Sequence, residues 1–557
     1  MSAIEPYLPH TRIAYLSMEI ALRSEMHTYS GGLGVLAGDA VRSAADLSLP
    51  MVFVTLASRQ GYLGQEIDAK GWQIDHADAW EPEDWATPLP DVMAATIEGR
   101  DVWVRPWLYE WTSSRGHKVP VILLDTHSDR NDLPDRGITH RLYGGDETYR
   151  LKQEIILGIG GEQALRSLGF AIDIYHLNEG HAALLPLALL KREAQTATTG
   201  DHDVEAVRRR CVFTTHTPVE VGHDRFDYEN VTRILGDFID ADPLKALAGE
   251  DRLNMTRLAL NLSDYVNGVS ARHAETTRSM FPGYRIHAVT NGVHPGQWTH
   301  PAFARLFCRI SPDWDVQPET LAGAVHLSDD DVWSAHLDAK DELIALVRER
   351  TGRHFGHDLP IIGFARRMTG YKRAGMLFSQ WDRLTDIFRR HPFQIVMSGK
   401  AHPHDEGGRE LIHDIVRRAH HAEIPVAFIP GYDLDIAKRI VAGSDIWLNT
   451  PQPPLEASGT SGMKAAFNGV LNVSTLDGWW PEGCDEGVTG WGIGPEGDYA
   501  EHAQVLYEKL ERSILPLYAE DRPGWIRMMR QAIAGIGPVF NTQRMMETYA
   551  REAYRLR

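Results

Sequence analysis

Asp445-Ile-Trp-Leu-Asn-Thr-Pro-Gln-Pro-Pro-Leu-Glu-Ala-Ser-Gly-Thr-Ser-Gly-Met-Lys464 reads as a short apolar strand, a polar turn and the opening of a helix. The strand is Asp445–Leu448, and Glu456–Lys464 carries the chain into the helix. Small residues in that turn let backbone N–H groups approach an anion at the helix N-terminus, with Lys464 about one turn inside. A nucleotide P-loop is not matched, because Met463 precedes Lys464 and Ala465 follows it. On spacing alone, a glycine-rich turn with a solvated lysine is an equally good reading.

The same strand–turn–helix unit recurs outward from this stretch. Apolar, β-branched runs predict strands at Arg12–Glu19, Met51–Leu56, Val121–Asp125, Ile172–Leu177, Cys211–Thr215, Val266–Ser270 and Arg285–Thr290. A second set falls at Pro360–Phe364, Gln394–Ser398, Pro425–Ile429, Asp445–Leu448 and Val470–Thr475. Helical spacing is clearest over Trp333–Arg350 and Leu377–Arg390. Repeated βαβ units predict an α/β fold of two Rossmann-like lobes facing a cleft, divided as residues 1–300 and 301–557. The proline-bearing segment His294–Ser328 is the expected connection. The last helical stretch, Thr542–Arg557, has no fixed place in this reading, and a return to the N-terminal lobe is open to it.

The chain has 557 residues with 43% hydrophobic, ordinary for a globular protein. Its formal charge is 57 − 76 = −19, which gives no general attraction to nucleic acid or anionic lipid, so neither is expected as a partner. The longest apolar stretch, Ala182–Leu190, contains Pro186 and is far short of the ~20 residues of a membrane span. Met1–Tyr15 lacks the pattern of a secretory signal, and Cys211, Cys308 and Cys484 form neither a disulfide framework nor a metal cluster. A cytoplasmic protein is the expectation, with association into a homo-oligomer left open.

Polar residues gather where the strands end. His176-Leu-Asn-Glu-Gly-His181, Thr214-Thr-His-Thr217, Thr290-Asn-Gly-Val-His294, Ala365-Arg-Arg367, Ser398-Gly-Lys-Ala-His402 and Asn449–Gly459 all follow predicted strands. Ligands bind outside the carboxyl ends of parallel strands, so clusters from both halves point to one cleft. His176 and His181 do not have the His-Glu-x-x-His spacing, and no metal is expected. His402 and His404 receive no role, and Tyr371 is read as a packing residue.

The wording of these motifs resembles the glycogen (α-glucan) phosphorylase family. Glu456-Ala-Ser-Gly-Thr460 with Met463-Lys464, then Asn468-Gly469 and Thr475-Leu-Asp-Gly478, is similar to its cofactor segment. Tyr15-Leu-Ser-Met-Glu19 and Gly31-Gly-Leu-Gly-Val-Leu-Ala37 resemble its opening strand and glycine loop. Arg366-Arg-Met-Thr-Gly-Tyr-Lys-Arg373 resembles its Lys-Arg-x-x-x-Tyr-Lys-Arg, with Arg366 in place of lysine. The pieces occur in family order from about residue 12 to 480. The resemblance implies a GT-B type fold and a retaining α-1,4-glucan phosphorylase. Such an enzyme uses inorganic phosphate to release glucose 1-phosphate from an α-glucan or maltodextrin.

It also implies roles. Lys464 would carry pyridoxal 5′-phosphate as a Schiff base, with Arg366, Gly459 and Thr460 at the cofactor phosphate and Trp298 near the ring. Arg367 and Lys372, with the backbone of Gly31, Gly32 and Gly34, would bind the substrate phosphate. His216, Asn291, Glu456, Ser458 and Gly459 would recognise the sugar. The chain is shorter than regulated members, so allosteric control is not expected. The competing readings are a nucleotide-sugar glucan synthase on the same fold, a phosphorylase with another acceptor, and a catalytically silent glucan-binding protein.

Overall fold

A computed structural model describes residues 3–196, 203–421, 423–494 and 497–556. Two sheets organise the chain. The first has ten strands, and its parallel part runs in the spatial order Lys118–Asp125, Met51–Leu56, Ile13–Ser17, Ile174–Asn178, Cys211–Thr214, Tyr265–Gly268, His287–Ala288. The second has six parallel strands, ordered Val426–Ile429, Gln394–Ser398, Ile361–Ala365, Ile446–Asn449, Leu471–Thr475, Gly490–Ile493. Numbered along the chain, the first follows 3-2-1-4-5-6-7 and the second 3-2-1-4-5-6, the doubly wound order, in which the direction of winding reverses between strands 1 and 4. The fold is the α/β GT-B arrangement expected from the sequence. Each central strand is buried on both faces, as Ile13–Ser17 and Ile361–Ala365 are along their whole length, which is why they read as apolar runs without alternation.

Each expected strand overlaps an observed one, although Arg285–Thr290 shrinks to His287–Ala288. Gly490–Ile493 was not anticipated, because Gly-Trp-Gly-Ile lacks the β-branched run that marks its neighbours. Nor was the antiparallel edge formed by Val92–Ile97 and Arg100–Thr112. There Arg105 and Glu110 interrupt the apolar residues. The expected helix Leu377–Arg390 is broken: Ala374–Phe378 is 3₁₀, and Gln380 leaves the helical region (φ −120°, ψ 71°) before Trp381–Arg390.

Asp329–Thr351 has a clear start and stop. The Ser328 hydroxyl caps it by accepting the Asp331 N–H, three aspartates occupy the first turn, and Gly352 ends it at φ +69°. The segment His294–Ser328 folds into short helices, Pro295–Trp298 and Pro301–Phe307, whose Trp298, Phe303 and Phe307 join the core of the second sheet.

The chain then crosses back. Thr542–Thr548 and its continuation to Ala553 lie against Gly32–Asp46, and Met545, Met546, Tyr549 and Tyr554 share a core with Ile13, Tyr15 and Val41. The outgoing and returning strands pair where they cross. The Val293 N–H donates to the Phe540 carbonyl at 3.2 Å, and the Thr542 N–H donates to the Val293 carbonyl at 3.0 Å. Gly292 is required there, because a Cβ would stand 2.1 Å from the Asn541 carbonyl carbon. On another side, the hairpin Gly64–Ile67/Gln73–His76 reaches from the first lobe onto the second. Gln65 donates to the Gly399 carbonyl and Gln73 to the Ala401 carbonyl, each at 2.9 Å. Among the described residues no helix is long and apolar enough to cross a membrane.

His176 Nδ1 lies 2.7 Å from the Tyr554 hydroxyl in this buried seam. Tyr554→Phe should lower stability by about 1–3 kcal/mol, the cost of leaving a buried polar atom unmatched; urea unfolding measures it.

Candidate active site

The two reversal points face each other across one cavity of about 460 Å³. The first sheet contributes Glu19, the Ser30–Leu33 loop, Glu179, His181, His216 and Asn291; the second contributes Arg366, Arg367, Lys372 and Leu455–Ser461 with Lys464. Every residue singled out from the sequence lines it except Gly34.

Gly34 lies behind the wall, where a Cβ would stand 2.7 Å from Glu19 Oε2. Glu19 is buried and accepts the N–H of Ser30, the Gly31 N–H at 3.0 Å and the Tyr143 hydroxyl at 2.9 Å. The glycine loop is thus tied down by a carboxylate. The N–H groups that open the helix at Gly32 remain as an anion-binding end. Arg367 runs against Gly31, whose Cβ would be 3.6 Å from its Nε.

Arg366 and Lys372 converge on Glu456. Arg366 Nη2 donates to Glu456 Oε2 at 2.9 Å, and the Lys372 amine donates to the same oxygen. Burial alone would push the Glu456 carboxyl up, but Arg366 and Lys372 hold it down at about 2. Arg366 still has Nε and Nη1 buried and unpartnered. Gly459 bends the loop at φ +80°, and Ser458 Oγ and Asn291 Oδ1 are buried without partners. Asn291 is held by the returning chain: Arg544 donates to the carbonyls of Thr290 and Asn291.

Lys464 sits on the short helix Ser461–Ala466, 8% exposed, with Nζ 3.7 Å from the centroid of the Trp298 ring. Burial pushes its amine down to about 8, Asp39 acting to raise it and Arg42 to lower it further. Gly462, two residues earlier, has no room for a side chain, because a Cβ would be 2.3 Å from Asn472 Oδ1.

His216 Nε2 lies 2.7 Å from Asn178 Oδ1, and its N–H donates to Glu179 at 2.7 Å. Burial takes its imidazole down to about 3, so it is neutral. His176 is sealed between Tyr554 and Thr214, whereas His181 faces the cavity. Glu19, Tyr62, Tyr143, Glu179 and His402 were not singled out for the site, yet all line the cavity, as does Tyr371. Their positions relative to strand ends were the available signal for Glu19, Glu179 and His402. Tyr62 and Tyr143 lie in loops with none.

Two doubly wound lobes with a cluster of cations between them define an enzyme of the GT-B glycosyltransferase class. Residues 224–482 match a family model described as carbohydrate phosphorylase, and residues 13–292 match one described as starch synthase catalytic domain. The chain is 38% identical to the maltodextrin phosphorylase of Thermococcus litoralis, over 97% of this chain and 70% of that protein. It is 35% identical to the glycogen phosphorylase of Mycobacterium tuberculosis, over 98% and 71% of the two chains. Identity to the glycogen phosphorylase of Aquifex aeolicus is 35%, over 97% and 86%. The chain belongs to the carbohydrate phosphorylase family.

The Glu456 carboxyl is held below its unfolded value of about 4.3, so its stabilising effect is present above that pH and is lost as pH falls toward 2. The gap in unfolding free energy between the parent and Glu456→Gln should therefore shrink by about 2–3 kcal/mol between about pH 6 and pH 2.5 in urea titrations.

Proposed function

We propose that this chain is a pyridoxal-phosphate-dependent α-1,4-glucan phosphorylase. It transfers a glucosyl unit from the non-reducing end of an α-glucan or maltodextrin to inorganic phosphate, giving α-glucose 1-phosphate with retention. The observation that carries this reading is the meeting, in one cavity, of a buried lysine that makes no ion pair among the described residues with the cations Arg366, Arg367 and Lys372.

The donor set suits pyridoxal 5′-phosphate. Lys464 offers an amine depressed toward neutrality above an aromatic face. Arg366 offers two unpartnered nitrogens on a wall shared with Gly459 and Thr460. Lys464 would hold the group, with Trp298 beside it and Arg366, Gly459 and Thr460 at its phosphate. When bound, the cofactor would supply a phosphate able to give and take a proton beside the substrate phosphate.

The chain's own residues bring two phosphates together and place the sugar. Arg367, Lys372 and the N–H groups at Gly32 take the substrate phosphate; Arg gives two-point contacts and Lys a compact charge. Like charges at close range need such fixed cations to offset their repulsion. Asn291, Ser458, Gly459, the His216 backbone and Glu456 take the sugar hydroxyls. Phosphate competes with Glu456 for Arg366 and Lys372, so filling the phosphate sites frees Glu456 to accept from a sugar hydroxyl. Phosphate attacks from the face the leaving group departs, which retains configuration without the carboxylate pair of most glycosidases. A nucleotide-sugar enzyme is not favoured, because it has no use for a buried lysine at 464.

Incubation of the cofactor-loaded protein with maltodextrin and phosphate should release glucose 1-phosphate, and Lys464→Ala should abolish that release. Release at the parent rate by Lys464→Ala would overturn the assignment. Arg367→Ala should raise KM for phosphate by about 10–100-fold, the weight of a charge-assisted contact, read from initial rates at varied phosphate.

A further inference from the structure

Lys464 belongs to the second lobe, but the charged pair beside it comes from the first. Asp39 and Arg42 stand on the helix Gly32–Asp46, both almost completely buried. Asp39 Oδ2 accepts the Trp298 indole N–H at 2.7 Å and the His294 N–H at 3.1 Å. Its other oxygen, Oδ1, has no hydrogen-bond partner among the described residues; Arg42 Nη1 is 3.7 Å from it. Arg42 spends its own N–H groups on the carbonyls of Ala21 and Leu22.

The indole that Asp39 grips is the one whose face lies under the Lys464 amine. A second tie closes the arrangement at the backbone, where Asn468 donates to the carbonyls of both Trp298 and Lys464. A carboxylate with an unmatched oxygen is costly in a protein interior unless a charge nearby uses it. Two charges lie nearby: Arg42, one turn along the same helix, and the lysine over Trp298. Hydrogen bonding by an anion at the indole N–H also enriches the ring face, which strengthens its hold on a cation. From the second lobe, the helix Leu434–Gly443 adds Lys438, which feels the same Asp39–Arg42 pair.

We propose that Asp39 is a positioning residue for Lys464: it accepts the indole N–H of the ring whose face carries the amine, so it fixes where the amine sits and sets a buried carboxylate against the same indole. The inference rests on the reading of Lys464 as the cofactor lysine, and it concerns a property of the lysine measurable without cofactor. Arg42 opposes Asp39, so the pair acts as a balance built by one lobe on the reactive amine of the other.

The test follows carbamylation of Lys464 by cyanate in the full chain without cofactor, using peptide mass spectrometry across pH. Asp39→Asn keeps the shape and an acceptor for the indole but removes the charge. It should shift the mid-point of Lys464 modification down by about one pH unit, the effect of one charge a few ångström away in a medium of effective dielectric about 20 or more. General loosening would expose the lysine and move the mid-point up toward about 10.4, so the downward direction separates tuning from damage. Asp39→Ser, in which the charge is lost and the site partly emptied, should move it the same way if the isosteric variant does not fold. Arg42→Gln should move it up. An unchanged or raised mid-point in folded Asp39 variants would overturn the proposal. Uptake of pyridoxal phosphate at Lys464 with no mid-point shift would leave the function standing and remove this inference. A shift without cofactor uptake would do the reverse.

Discussion

Cations cannot be gathered in the interior of a protein without an anion to hold them, and Glu456 is that anion here. Arg366 and Lys372 come from the turn after one central strand of the second sheet, and Glu456 from the loop after its neighbour. The doubly wound order puts those two strand ends side by side where the winding reverses. The ion pairs lie at that junction. A phosphate entering here would meet the groups that make these ion pairs, so stability and readiness to bind draw on the same side chains.

Around this centre, glycines mark where backbone has to pass close. Gly459 takes a left-handed conformation in the loop carrying Ser458 and Thr460, and Gly462 makes room for Asn472. The Asp477 carboxylate accepts the Glu456 N–H at 2.9 Å, and Arg272 of the first lobe lies 3.3 Å from its other oxygen. The cation floor is thus held from beneath by its own sheet and from the side by the opposite lobe.

Much of this was legible because strand ends in parallel sheets carry the functional residues close in sequence. Ala365-Arg-Arg367 and Glu456–Lys464 declared themselves as polar punctuation after apolar runs. What was not legible depends on chain segments far apart. Gly292 looked like one letter of a family motif, yet its reason is the backbone of Asn541, some 249 positions later (541 − 292). Asp39, one carboxylate within a helix of small apolar residues, carries no local sign that Trp298 will lie against it. The hairpin Gly64–His76 has too little apolar character to announce that it lies on the other lobe.

The paired crossings at Val293 and Thr542 have a mechanical meaning. A single tether lets two bodies swing and spin freely, whereas two tethers laced together behave as a flat strap. Such a strap bends about one line and resists torsion. Any opening of the cleft is then a swing in one plane, in which Asn291, gripped by Arg544 at the strap itself, scarcely moves, and which has first to break the hydrogen bonds tying the Gly64–His76 hairpin to Gly399 and Ala401 at the far rim. The strap is therefore the pivot and the hairpin the latch.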